Sequence, residues 1–79
     1  MIAVFGGKRV RVGSLAEASR TYCTYWDDLA RRTGRVVRGG TVVDDQGREV
    51  GRISQNGRVW APSETWSPDT PLLCEAQRS

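Results

Sequence analysis

Histidine is absent from these 79 residues. Its absence removes both the commonest general base and the commonest metal ligand. Cysteine is nearly absent too. Cys23 and Cys74 lie 51 positions apart, with no cysteine or histidine at metal-ligand spacing around either. A disulfide between them stays open, since spacing alone does not decide it. So low a cysteine content, with no signal-peptide pattern ahead of Lys8, fits a reducing cytosol better than a secreted scaffold. Long hydrophobic runs are missing as well: none approaches the roughly 20 apolar residues of a membrane-spanning helix, and no membrane association is expected. The glycine pairs Gly6-Gly7 and Gly39-Gly40 lack the Lys-Ser/Thr of a phosphate-binding loop and the spacing of a dinucleotide fingerprint, so they read as turns.

What remains offers little for catalysis. Asp27-Asp28 and Asp44-Asp45 are the carboxylate pairs. Neighbours on a helix point about 100° apart, so Asp27 and Asp28 cannot both face one substrate. Asp44-Asp45 falls in a turn, where aspartate serves the local backbone. Serines are plentiful, but no base is at hand to activate one. Seventy-nine residues make one domain that buries only about 60% of its unfolded surface, too thin a core to enclose a water-free site. The expectation is a non-enzymatic protein without cofactor or metal.

Charge is present in quantity and unevenly placed. Residues 1–60 carry eleven basic and six acidic groups, whereas residues 61–79 carry Arg78 against Glu64, Asp69 and Glu75. Eleven of the twelve cations are arginine. The planar guanidinium fork binds carboxylate or phosphate in a bidentate way and gives up its hydration readily. The bias suits an interface for an anionic partner, and it is equally what a GC-rich genome writes in place of lysine.

Periodicity organises the chain as ββαβββ: one helix packed on a mostly antiparallel sheet, an α+β fold, with an extended C-terminal strap. Ile2, Val4, Val10 and Val12 alternate at the strand period around Gly6-Gly7, which suits a two-residue hairpin turn. Ser14-Leu15-Ala16-Glu17 is a capping box, in which Glu17 can reach back to the cap amide. From it, Leu15, Ala18, Tyr22, Tyr25 or Trp26, and Leu29 form an apolar stripe that ends at Gly34, giving a helix over about 15–33 with Arg31-Arg32 in its last turn. Val36-Val37 and Thr41–Val43 read as strand around Gly39-Gly40, and residues 44–47 as a turn ahead of a strand over 49–54. Asn56-Gly57, read as a two-residue turn, pairs Ile53 with Trp60 and places both over the helix, with Arg52, Ser54 and Val59 on the outer face. The compact domain spans 1–61. Residues 62–79, punctuated by Pro62, Pro68 and Pro71, form a strap without regular structure that lies across the domain, with Trp66 as its anchor. No internal repeat stands out.

Two surfaces invite a partner. Lys8, Arg9 and Arg11 on the first hairpin and Arg48, Arg52 and Arg58 on the last would suit a phosphate backbone, although the register just given does not put Arg52 and Arg58 on one face. The helix carries more aromatics than so small a domain needs for its core, and Tyr25, beside Asp27 and Asp28, is the one expected to be exposed as an interface anchor or dimer seam.

The segments Ser14–Arg20 and Arg52–Trp60 resemble those of very short, arginine-rich proteins carried by phages and mobile elements of GC-rich proteobacteria, among them anti-CRISPR proteins. The likeness covers about half the chain and consists of a capped helix and an Asn-Gly hairpin ending in tryptophan. It implies a stoichiometric inhibitor in the host bacterial cytoplasm, a monomer or weak homodimer. Such an inhibitor binds a bacterial protein or ribonucleoprotein complex, with type I (Cascade) CRISPR effectors as the first target to expect. Arg38, Arg48, Arg52 and Arg58 would supply bidentate bonds, and Tyr25 or Trp66 an aromatic anchor. The acidic proteins of this kind imitate DNA. A basic chain is instead expected to dock on acidic protein surface or to contact guide or target nucleic acid. A nucleic-acid-binding accessory module is the alternative, and a structural phage component that self-assembles is a third.

Overall fold

The computed structural model describes residues 1–35, 38–62 and 69–77. Along the chain run β1 (Ile2–Phe5), β2 (Lys8–Arg11), α1 (Leu15–Thr33), β3 (Gly40–Val43), β4 (Glu49–Ile53), β5 (Val59–Trp60) and β6 (Leu72–Cys74). The strands form one sheet in the order β2-β1-β3-β4-β5-β6, every neighbouring pair antiparallel, with α1 packed on one face. The sheet has one strand more than the sequence pattern predicts. The strap does not merely lie across the domain: Leu72–Cys74 pairs with β5, and Ala61 N–H donates to Pro71 O at 2.9 Å. Proline blocks pairing only where its own N–H is needed, and Pro71 stands just outside the strand. The expected strand at Val36-Val37 and the anchoring role of Trp66 lie outside the described residues.

The helix begins and ends where its caps predict. Ser14 Oγ accepts from Glu17 N–H at 3.1 Å, and Gly34, left-handed at φ 73°, donates its N–H to Ala30 O. Glu17 reaches one residue further back than a capping box requires, taking Gly13 N–H at 3.0 Å instead of the cap amide. Ala18, Ser19, Tyr22 and Cys23 are the helix residues buried against Ala3, Phe5, Val12, Val42, Ile53 and Val59. Tyr22 meets Phe5 edge-to-face at 5.6 Å, a favourable geometry for the ring quadrupoles.

Polar contacts pin the helix to the far end of the sheet. Ser19 Oγ donates to Gly57 O at 2.6 Å and accepts from Gln77 N–H at 2.9 Å. Tyr22 Oη donates to Gln55 O at 3.0 Å and accepts from Gly39 N–H at 3.2 Å. Both side chains are fully buried, and each hydroxyl both gives and takes a bond, so neither oxygen is stranded.

The last hairpin corrects the predicted register. Ile53 pairs with Val59 and Arg52 with Trp60. Ser54 N–H donates to Arg58 O at 2.8 Å, Gly57 N–H donates to Ser54 O at 2.9 Å, and Gly57 sits at φ 96°. That is a three-residue loop closed by a left-handed bulge glycine, one residue longer than the two-residue turn Asn56-Gly57 suggests. The extra residue exchanges the faces: Val59 goes inward and is fully buried, and Trp60 goes outward. The close fit of the hairpin tip to the helix explains the choice, because a Cβ on Gly57 would run into Cys23 Sγ. The β3–β4 turn, ten residues earlier, is built alike: Asp44 N–H donates to Arg48 O, Gly47 N–H to Asp44 O, and Gly47 is left-handed at φ 82°.

Replacing Ser19 by alanine orphans one buried donor and one buried acceptor. We expect Ser19→Ala to cost about 1–3 kcal/mol in urea unfolding. Gly57→Ala, strained in both φ and contact, should cost more than the roughly 1 kcal/mol of a tolerated glycine change. Unchanged midpoints for both variants would refute this account of the closure.

Candidate functional site

Directly paired residues of an antiparallel sheet share a face, so the registers sort the side chains. Toward the helix point Ala3, Phe5, Val10, Val42, Gly51, Ile53, Val59 and Cys74. On the other face a cross-strand row runs Arg9–Val4–Thr41–Arg52–Trp60 over five strands, and Leu72 pairs with Trp60 across a register shift in the β5–β6 ladder. A shorter row beside it runs Arg11–Ile2–Val43–Glu49. Among the described residues no helix or strand lies over this face. Trp60 is half-buried in its row, and Leu72 with its neighbour Leu73, 42% and 43% exposed, brings apolar surface to the β6 end.

Of the arginines expected to engage a partner, three are held within the chain. Arg48 Nε lies 3.4 Å from Asp44 Oδ2, Arg52 Nε 2.7 Å from Glu49 Oε1, and Arg58 Nε 2.5 Å from Glu75 Oε1. Arg38 is exposed. These four do not form one cluster: Arg52 lies within the outward row, Arg48 closes the β3–β4 turn, and Arg58 ties the β5 hairpin to the residue after β6. Arg9 and Arg11, weighed from the sequence for a phosphate backbone, stand on the outward face of the β2 edge and are exposed. Trp60 is the residue that the two-residue turn misplaces, and the correct hairpin register puts it in the row of Arg9 and Arg52.

Tyr25 is not the exposed anchor that its place on the helix suggests. It is partly buried, with its ring 5.3 Å from that of Phe5 and Lys8 Nζ 5.0 Å above it. Gly6 makes the slot, since a Cβ there would come within 2.8 Å of Tyr25 Cε1. An open concavity of about 600 Å³ lies beside this ring, between α1 and the first hairpin. Its rim mixes Lys8, Arg20 and Arg31 with Asp27 and Asp28, so opposite charges offset one another there, and Asp28 is already taken by Arg32 at 2.9 Å.

Among the described residues no group of three or more His, Cys, Asp or Glu side chains could hold a metal, and no helix is long and apolar enough to cross a membrane. Cys23 and Cys74 are both free thiols, the first buried. Comparison with protein-family models, with curated proteins and with solved structures finds no match.

Among the described residues, Asp44 and Glu75 titrate below the ordinary carboxyl range. Asp44 is held down chiefly by the backbone N–H of Arg48, and then by that of Gln46, which its Oδ1 accepts at 2.9 Å each. Glu75 is held down chiefly by the Arg58 guanidinium. A carboxylate with a depressed folded-state pKa stabilises the fold above its unfolded value of about 4, and that contribution fades as pH falls through the folded value. Urea midpoints should therefore drop as pH is lowered from 6 toward 3. The Asp44→Asn, Glu75→Gln double variant should show a shallower drop, and an equally steep profile would contradict the assignment.

Proposed function

We propose that this chain is a non-enzymatic inhibitor of the anti-CRISPR kind, which binds a bacterial CRISPR effector complex stoichiometrically and blocks its access to DNA. The observation that carries the reading is the outward pair Arg52–Trp60, with Leu72 paired to Trp60. Tryptophan and arginine dominate the energetics of protein interfaces, and here they adjoin an exposed leucine at the sheet's end. An effector complex offers what such a face needs, acidic protein surface beside bound nucleic acid. The resemblance of Ser14–Arg20 and Arg52–Trp60 to phage-borne proteins puts type I effectors first. Binding without turnover also suits a chain that has no histidine.

A nucleic-acid-binding accessory module is the second reading. It is favoured by the same row, which brings Arg9, Arg52 and Trp60 to one face.

The test mixes the chain with purified type I effector complex. We expect comigration in gel filtration at fixed stoichiometry and loss of target-DNA binding. Trp60→Ala should weaken the association by about 2 kcal/mol, roughly thirtyfold in Kd. Leu72→Asp, at an exposed position, should weaken it with no change in the circular dichroism spectrum. Unimpeded DNA binding by the effector at saturating amounts of the chain would end the proposal.

A further inference from the structure

The sheet ends at β2 on an edge whose backbone is open. Phe5 and Lys8 flank the two-residue turn and so exchange both N–H···O bonds, and bonded pairs recur at every second position of an antiparallel ladder. Ala3–Val10 is the next bonded pair, and one step further on Val12 N–H donates to Met1 O at 2.9 Å. Lys8, Val10 and Val12 thus turn their backbone groups toward β1. Arg9 and Arg11 alternate with them, so their N–H and C=O groups point out of the sheet. Among the described residues no strand pairs with β2 on that side.

The charge along this edge has one sign. Residues 1–16 contain Lys8, Arg9 and Arg11 and no carboxylate. Arg9 and Arg11 are exposed on the outward face, where their neighbours across β1 and β3 are Ile2, Val4, Thr41 and Val43, all uncharged. Arg32, Arg48, Arg52 and Arg58 each have a carboxylate partner; among the described residues Arg9 and Arg11 have none. Val10, between them, turns to the helix side and packs at the margin of the core.

We propose that the β2 edge takes up an extended acidic segment of another protein as a further strand, antiparallel to β2. Carboxylates at alternate positions of that segment stand opposite Arg9 and Arg11, with an apolar residue between them opposite Val10. The open N–H and C=O groups supply the main-chain bonds by which a strand is added to a sheet edge. Residues directly opposite share a face, so each guanidinium fork meets a carboxylate, while the apolar residue extends the helix-side packing of Val10. A second copy of this chain is excluded by the same charges. In the antiparallel register that uses both residues' open groups, each Arg9 faces an Arg11 of the other copy, and like charges directly opposite are destabilising. A phosphate backbone answers the guanidinium groups but carries no donor for the edge carbonyls. The proposal goes beyond the inhibitor reading, whose contact lies at Arg52, Trp60 and Leu72 toward the opposite end of the sheet.

Titration of the nitrogen-15-labelled chain with a nine-residue peptide of alternating glutamate and valine, followed by NMR at 50 mM salt, tests it. The amides of Arg9 and Arg11 should shift and exchange more slowly with solvent, whereas Val10 N–H, already bonded to β1, should be protected throughout. N-methylation of the glutamates blocks the N–H groups that face β2 and should weaken binding roughly tenfold or more. N-methylation of the valines, whose N–H groups face away, should leave the affinity within about twofold. The Arg9→Glu, Arg11→Glu double variant should lose the glutamate peptide and bind its lysine–valine counterpart. No shift of Arg9 and Arg11 at millimolar peptide, or equal binding of the two methylated peptides, would overturn the proposal. So would a shift of the same amides with protein concentration alone, or tighter binding of twelve-nucleotide oligo-dT than of the peptide. No effector takes part in this titration, so its failure leaves the inhibitor reading intact.

Discussion

Ser19 and Tyr22 lie one turn apart on the buried stripe of α1, and a hydroxyl in that position must both give and receive a hydrogen bond or forfeit its hydration for nothing. Each finds a donor and an acceptor in segments distant along the chain. Ser19 joins Gly57 to Gln77, and Tyr22 joins Gln55 to Gly39. The rest of the architecture follows from this constraint. The β4–β5 hairpin tip must press against the helix closely enough for its carbonyls to be reached, which demands glycine at position 57 and a three-residue loop. The loop sets the register, and the register decides which side chains face away from the core.

Among the described residues nine are buried in the apolar core, few for a six-stranded sheet, and their composition shows how the space was divided. Over the far strands the helix presents Ala18, Ser19 and Cys23, short side chains that let the sheet come near. At the first hairpin it presents Tyr22 and Tyr25, which fill the wider gap around Phe5. Val59 takes the inward position and is fully buried, while its larger neighbour Trp60 goes to the open side. What looks like a functional placement of tryptophan is also the one that packing permits.

Much of this was legible in the sequence wherever local chemistry decides. Ser14, Glu17 and Gly34 bound the helix because caps act within a single turn. Gly6-Gly7 makes a two-residue connection between Phe5 and Lys8 because two consecutive glycines accept positive φ without strain. The strands around Val42 and Ile53 were visible in their alternation. Legibility stopped where a tertiary contact arbitrates. Asn56-Gly57 serves a two-residue or a three-residue loop equally well, and Cys23, far off in sequence, selects between them. Tyr25 lies on the flank of the apolar stripe and is drawn in by a slot that exists only because Gly6 faces it. Leu72–Cys74 is too short and too near proline to read as a strand until β5 offers an edge. The site inherited these errors, since one residue of slip moved Trp60 from the interior to the row of Arg9.

The bond between Ser19 and Gln77 spans 58 positions, although β6 itself pairs with the neighbouring β5. Contacts so remote are made late and slowly. During synthesis, residues 72–77 leave the ribosome after the other described strands of the sheet. Until they do, the serine hydroxyl lacks its donor and the Val59 edge has no neighbour. A nascent chain halted before that point lacks both partners, so the described sheet closes in one step, when β6 is delivered.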